Sequence, residues 1–164
     1  MGRFIEADES VVEVFLDTIE KRFPSLIQFK FKLVFDLKRR VKQGEICLAS
    51  VELTSEKVKF FSKDNIATEG YDVVLIFDKK AWEVAGAADR IRIMSHELRH
   101  VFVDENGKVK LLPHDISDFR IEQKLNTDDP DWRFKLGTLV SDIYEQEKEM
   151  AKQKNDLTKE YKHE

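Results

Sequence analysis

His96-Glu97-Leu98-Arg99-His100 is the stretch from which the rest of this chain can be read. On a helix, residues i and i+4 share a face, so His96 and His100 can grip one metal ion together. Glu97 stands beside them, placed to reach a water on that metal. Of the four histidines in the chain, a third, His114, follows after a short gap, as a third ligand should. The fourth, His163, lies in a charged tail and is given no role.

The surroundings of the motif agree with a helix. Apolar residues at helical spacing predict a helix from about Ala87 to Phe102, with Ile91, Met94, Leu98, Val101 and Phe102 on one core-facing stripe. His96 and His100 fall roughly opposite that stripe, facing outward or into a cleft. Upstream, Tyr71–Phe77 is a nearly continuous apolar run, which implies a strand buried on both faces. A helical turn around Lys79–Val84 joins the two. Downstream, Asn106-Gly107 marks a hairpin between Val101–Val103 and Val109–Leu112. Pro113 then precedes His114, and another helix is expected from near Asp115, carrying Ile116, Phe119 and Ile121.

The first half of the chain predicts a helix over about Ser10–Arg22, with Ser10 and Glu13 as a capping box and Pro24 as its stop. Phe29–Phe35 alternates with lysines and reads as a half-buried strand. A second strand is expected over Glu45–Leu53, and a short helix over Ser55–Ser62. At the other end, Asn126–Asp131 is a turn with Asp129 as cap and Pro130 in the first helical position. The last helix runs from Pro130 through Tyr144 into the charged segment Glu145–Glu164. That segment has too few apolar residues to pack and is expected to fray or project. The expected division is therefore a domain over 1–147 and a charged tail over 148–164.

At 164 residues with 41% hydrophobic content, the chain can bury one core. A net charge of -4 argues against a nucleic-acid footprint over the whole surface. Lys38-Arg39-Arg40 with Lys42 is the one basic run, and it reads as a solvated loop between strands. The single cysteine, Cys47, excludes an internal disulfide and any cysteine-rich zinc module; its apolar neighbours place it in the core. No apolar leader and no membrane-length stretch are visible, so a cytoplasmic protein is expected.

A catalytic zinc takes three protein ligands and keeps a fourth position for water, whose pKa it lowers. His96, His100 and His114 are the expected ligands, with Glu97 as general base. A metzincin would have glycine and histidine where this chain has Val103 and Asn106, which excludes that subclass. Glu122, Asp115 and Asp118 are the carboxylate alternatives for the third ligand. With His114 in that place, Asp115 or Asp118 suits holding a ligand imidazole in its tautomer, or simply capping a helix. Tyr71, Tyr144 and Arg99 are candidates to steady an oxyanion. Zinc suits nitrogen ligation, although nickel, cobalt or copper would bind the same atoms.

With these residues assembled, the chain resembles the phage metallopeptidase family, small zincin-like proteins of phages and prophage-bearing bacteria. The resemblance rests on Tyr71–Val74, Asp78–Trp82, Asp89–Arg92, His96–His100, His114–Ile116 with Asp118-Phe119, and Asp128–Trp132. More distantly the chain is similar to SprT-like proteases, which also follow the paired histidines with a later histidine and an aromatic. The resemblance implies an α+β, zincin-like fold: a small mixed sheet packed on the motif helix, with additional helices. It implies Zn2+ as cofactor and a peptide or protein as substrate. It also implies an edge strand beside the site, for which Tyr71–Phe77 is the candidate. The expected function is peptide hydrolysis by a metal-activated water. The rival is a metal-stabilised binding module without catalysis, docking on a phage or host protein.

Overall fold

The first helix takes its start from Asp8 rather than from Ser10. In the computed structural model, which describes residues 2–114 and 118–161, strand β1 (Phe4–Glu6) leads into α1 (Glu9–Arg22). The Asp8 carboxylate accepts the Ser10 backbone N–H at 3.0 Å, a charged cap where the helix dipole favours one. Ser10 sits inside the first turn, and its hydroxyl accepts from the Trp82 indole N–H at 3.0 Å. The N-cap therefore lies upstream of the expected one, and with Val11 three residues after Asp8 no capping box forms.

Strand β2 is Phe31–Asp36, two residues later at its start than the alternation suggested. The basic loop follows, with its arginines engaged: Arg39 pairs with Glu145, and Arg40 with Asp36 and Ser50. The expected strand Glu45–Leu53 is broken. A two-residue ribbon, β3 (Val41–Lys42) with β4 (Glu45–Ile46), turns through Gln43 and Gly44 at positive φ. Cys47 and Leu48 interrupt before β5 (Ala49–Leu53) begins, and Cys47 is half-buried rather than in the core. Helix α2 (Glu56–Phe61) is capped by the Ser55 hydroxyl.

Strand β6 (Val73–Asp78) lies in the interior of a four-stranded sheet ordered β1-β2-β6-β5. It runs parallel to β2 and antiparallel to β5, and β1 runs antiparallel to β2. The expectation of Tyr71–Phe77 as an edge strand is therefore wrong. A strand this apolar gains most where both backbone edges are paired. Val73, Leu75 and Phe77 are fully buried and pair in register with Phe31, Leu33 and Phe35.

Helix α3 (Lys79–Val84) is capped by Asp78, whose carboxylate accepts the Ala81 N–H at 2.8 Å. The motif helix α4 (Ala87–Arg99) ends three residues before the expected Phe102. The hairpin of β7 (Val101–Val103) and β8 (Val109–Leu111) takes over there, and the His100 carbonyl accepts the Leu112 N–H. Val101 is still buried, but from a strand, and Phe102 is 38% exposed. Every residue from Arg92 to Leu98 is buried, so of the two settings expected for His96, outward or into a cleft, the outward one does not hold; its ring meets Asp118 and His114 inside the protein. Helix α1, the sheet and helix α5 (Arg120–Leu125) close around α4.

Asp118 and Phe119 precede α5 without being helical, so that helix starts later than expected; Asp115 and Ile116 lie outside the described residues. Helix α6 (Trp132–Tyr161) buries Trp132, Leu136 and Val140 and half-buries Tyr144 against the same core. From Glu145 to Lys159 it is exposed, so the charged segment projects as a helix. The architecture is α+β. Among the described residues no helix is long and apolar enough to cross a membrane.

Candidate metal centre

Three local features bring the imidazoles together. Helix α4 carries His96 and Glu97 and ends on His100 as its C-cap. The β7–β8 hairpin returns the chain to the end of that helix. Its turn is fixed by the Asp104 carboxylate, which accepts the Asn106 and Lys108 N–H groups, and by Gly107 at φ 76°. The next residues deliver His114, whose Nε2 lies 2.9 Å from that of His96 and 2.8 Å from that of His100. The three candidate ligand atoms all lie within 4.8 Å of one another.

The other ring nitrogens decide the tautomers. His96 Nδ1 lies 2.6 Å from Asp118 Oδ1, and His100 Nδ1 lies 2.7 Å from the Leu112 carbonyl oxygen. Carboxylate and carbonyl only accept, so both Nδ1 atoms carry the proton and both Nε2 atoms present lone pairs. Both lone pairs meet one imidazole, and a single N–H on His114 can satisfy only one of them. A divalent cation would satisfy all three, so the donor set fits a metal. Nitrogens bound at about 2.05 Å in a tetrahedron stand about 3.4 Å apart, so binding asks the His114 ring to part from each of the other two by roughly half an ångström.

The electrostatics suit neutral imidazole. His114 is depressed to about 4, first by burial and then by its histidine neighbours and Arg133. Burial acts to raise Asp118, but the bond and charge of His96 and the Phe119 N–H outweigh it, leaving the carboxyl below its ordinary range. Glu97 is 5% exposed, next to His96 on the helix. Phe119 is buried with its ring centroid 4.9–5.4 Å from those of His96, His100 and His114, forming an apolar wall to all three.

Of the remaining candidates, Asp118 meets His96 and Asp115 lies outside the described residues. Glu122 is not with the histidines. It is buried, and its Oε1 accepts from Ser95 Oγ and from the Arg99 guanidinium, each at 2.9 Å. Arg22 donates in turn to Ser95 Oγ at 2.9 Å. This polar seam behind the motif was missed from sequence; the one hint was a serine and an arginine flanking His96 at helical spacing. The proposed oxyanion partners are engaged elsewhere. Arg99 holds Glu122, Tyr71 donates to Asp64 at 2.7 Å, and Tyr144 donates to Asp78 at 2.6 Å. Those bonds, after burial, push Tyr71 up to about 12 and raise Tyr144 further.

A family model described as "Putative phage metallopeptidase" matches residues 3–151, nearly the whole chain. The chain belongs to this family. No curated protein and no solved structure matches it. Membership in a metallopeptidase family implies a bound metal and a peptide or protein substrate, and the histidine cluster offers such a metal three nitrogens.

Proposed function

We propose that this chain is a zinc-dependent peptidase with a zincin-type arrangement, in which His96, His100 and His114 hold the metal and Glu97 is the general base. The observation that carries the reading is the convergence of three Nε2 atoms, two of them fixed as lone-pair donors by Asp118 and the Leu112 carbonyl. Zinc, when bound, supplies a Lewis acid and a water of near-neutral pKa. Glu97 takes a proton from the attacking water and passes it to the leaving amine nitrogen. Asp118 keeps His96 in its binding tautomer, and Phe119 keeps the ligands beside an apolar wall. An extended peptide pairs its backbone with a sheet edge, and the edge lying against α4 is β5 rather than β6.

Elemental analysis of protein purified without a metal-affinity step tests the site. The expected result is about one zinc per wild-type chain, lost or much weakened in His114→Ala. Absence of zinc after it is offered back would sink the reading. Glu97→Gln separates catalysis from binding: a peptidase keeps its metal and loses turnover. Turnover unchanged in that variant would remove Glu97 from the chemistry. A metal-loaded wild type that cleaves nothing would favour a metal-stabilised binding module.

A further inference from the structure

A groove of about 510 Å³ lies along α5, and part of its wall also holds the histidine cluster. Phe119 lines it, with a ring centroid 4.9 Å from that of His100 and 5.1 Å from that of His114. Leu112 lines it too, and its carbonyl oxygen lies 2.7 Å from His100 Nδ1. Pro113, a third lining residue, directly precedes His114. We propose that this groove seats a peptide segment in which an acidic side chain stands next to an apolar one. Only in calling that segment the substrate does the inference rest on the peptidase reading; the binding itself needs no metal.

Charge is the first support. Three cations, Arg99, Arg120 and Lys124, line the groove, and none of its described lining residues is acidic. The chain as a whole carries a net charge of -4, so this excess of cations runs against the balance of the molecule. Arg99 is held in place: Glu122 accepts from its Nε at 2.9 Å, and its guanidinium lies 4.5 Å from the Phe23 ring centroid. Glu122 offsets part of that charge, which leaves Lys124 as the cation to meet a carboxylate. Lys124 stands in the last turn of α5 and has no hydrogen bond or ion pair among the described residues. It therefore has no internal partner to give up when a ligand arrives.

Apolar surface is the second support. Leu112 is 44% exposed and Ile121 50% exposed at this groove, beside buried Phe119. A ligand that covers apolar side chains and also answers the cations gains on both counts. A bare phosphate would leave Leu112 and Ile121 in water. A nucleic-acid strand wants a long track of cations following its backbone, and three around an apolar wall make a short one. A glutamate or aspartate beside a leucine-like residue meets both halves of the groove. Seated there, the segment touches the residues that carry and hold two of the proposed metal ligands.

The test is fluorescence anisotropy on the full chain, both metal-free and as zinc-loaded Glu97→Gln, which should not turn the probe over. The probe is a short labelled peptide of alternating glutamate and leucine, set against its glutamine counterpart. The glutamate peptide should bind about fivefold tighter or more, and added salt should narrow the gap. Lys124→Glu should erase the preference. Ile121→Ser should weaken both peptides alike. Both side chains are exposed, so melting temperature and zinc content should not move. Equal binding of the two peptides by the wild type, or a preference that survives Lys124→Glu, would overturn the proposal. So would a single-stranded oligonucleotide that outcompetes the peptide, or a dimer in sedimentation that Lys124→Glu dissolves, which puts a second copy in the groove. A chain that takes up no zinc yet keeps the glutamate preference defeats the peptidase reading and leaves the acidic peptide as the groove's ligand.

Discussion

Asp118 holds His96 from behind: its Oδ1 lies 2.6 Å from Nδ1 of the imidazole and also accepts the Phe119 N–H at 2.7 Å. One carboxylate thus fixes the ring that opens the proposed metal set and the backbone of the residue that walls it. Asp118→Asn keeps an oxygen for the Phe119 N–H but offers the imidazole a weaker, uncharged acceptor. Zinc affinity, measured by chelator competition, should fall roughly 10- to 100-fold while the melting temperature of the metal-free protein moves little. An unchanged affinity would show that the tautomer is fixed without Asp118.

Glu122 tests the seam on the other side of the motif. The carboxylate is buried, holds Ser95 and Arg99 through Oε1, and leaves Oε2 without a partner among the described residues. Glu122→Ala strips Arg99 of its counter-ion, and a loss of about 3–5 kcal/mol in urea unfolding is expected. Glu122→Gln keeps the shape and should lose less. If the alanine variant is as stable as wild type, the seam does not hold α5 to α4.

Acid stability should depend on Asp36. Its side chain is 1% exposed and bonds Arg3 and Arg40. Burial acts to raise it, but the Arg3 bond, the Lys38 N–H and both arginine charges outweigh that, so the carboxyl is held below its ordinary value. A depressed folded pKa gives stability that is complete above the unfolded value, about 3.9, and is lost as pH falls through the folded one. Asp36→Asn should therefore be clearly less stable than wild type at pH 7, with the difference shrinking below about pH 3.9 in denaturant titrations. A gap that stays constant to low pH would remove Asp36 from the acid response. Asp78 works in the opposite sense, since burial leaves its carboxyl raised.

Removing the exposed end of α6 should cost little. Side chains from Glu145 to Lys159 are exposed, and the ion pairs joining this stretch to the body include Arg39–Glu145 and Lys80–Glu147. A chain ending after Glu147 keeps both pairs. Its melting temperature should stay within about 2 °C of the full chain, because exposed side chains of this kind each change stability by under about 0.5 kcal/mol. A larger drop would show that residues 148–164 belong to the folded domain.

Features set by neighbours in sequence were legible. The run at Val73–Phe77 gave a strand, Asn106-Gly107 gave a hairpin, and the spacing of His96, His100 and His114 picked out side chains that do converge. Features set by distant pairing were not. Nothing local names β2 and β5 as the neighbours of β6: its apolar run made burial on both faces legible and argued against the edge assigned to it, but the pairing partners lie far off in sequence. The motif helix ends at Arg99 because strand pairing with Val109–Leu111 competes for Val101–Val103, a contest that periodicity does not register. The helical wheel left His96 facing outward or into a cleft, because a wheel omits what α5 and Phe119 bring over it. Glu122 read as a possible ligand, whereas its Oε1 serves Ser95 and Arg99.

The long last helix has a hydrodynamic consequence. At about 1.5 Å per residue, the exposed stretch from Glu145 to Lys159 adds roughly 20–25 Å to one side of the domain. A particle of that outline drags more solvent than a sphere of equal mass. It will elute early from a gel-filtration column and tumble anisotropically as a monomer. An apparent mass well above 19.3 kDa is therefore no sign of self-association in this protein, and sedimentation or light scattering must decide its stoichiometry.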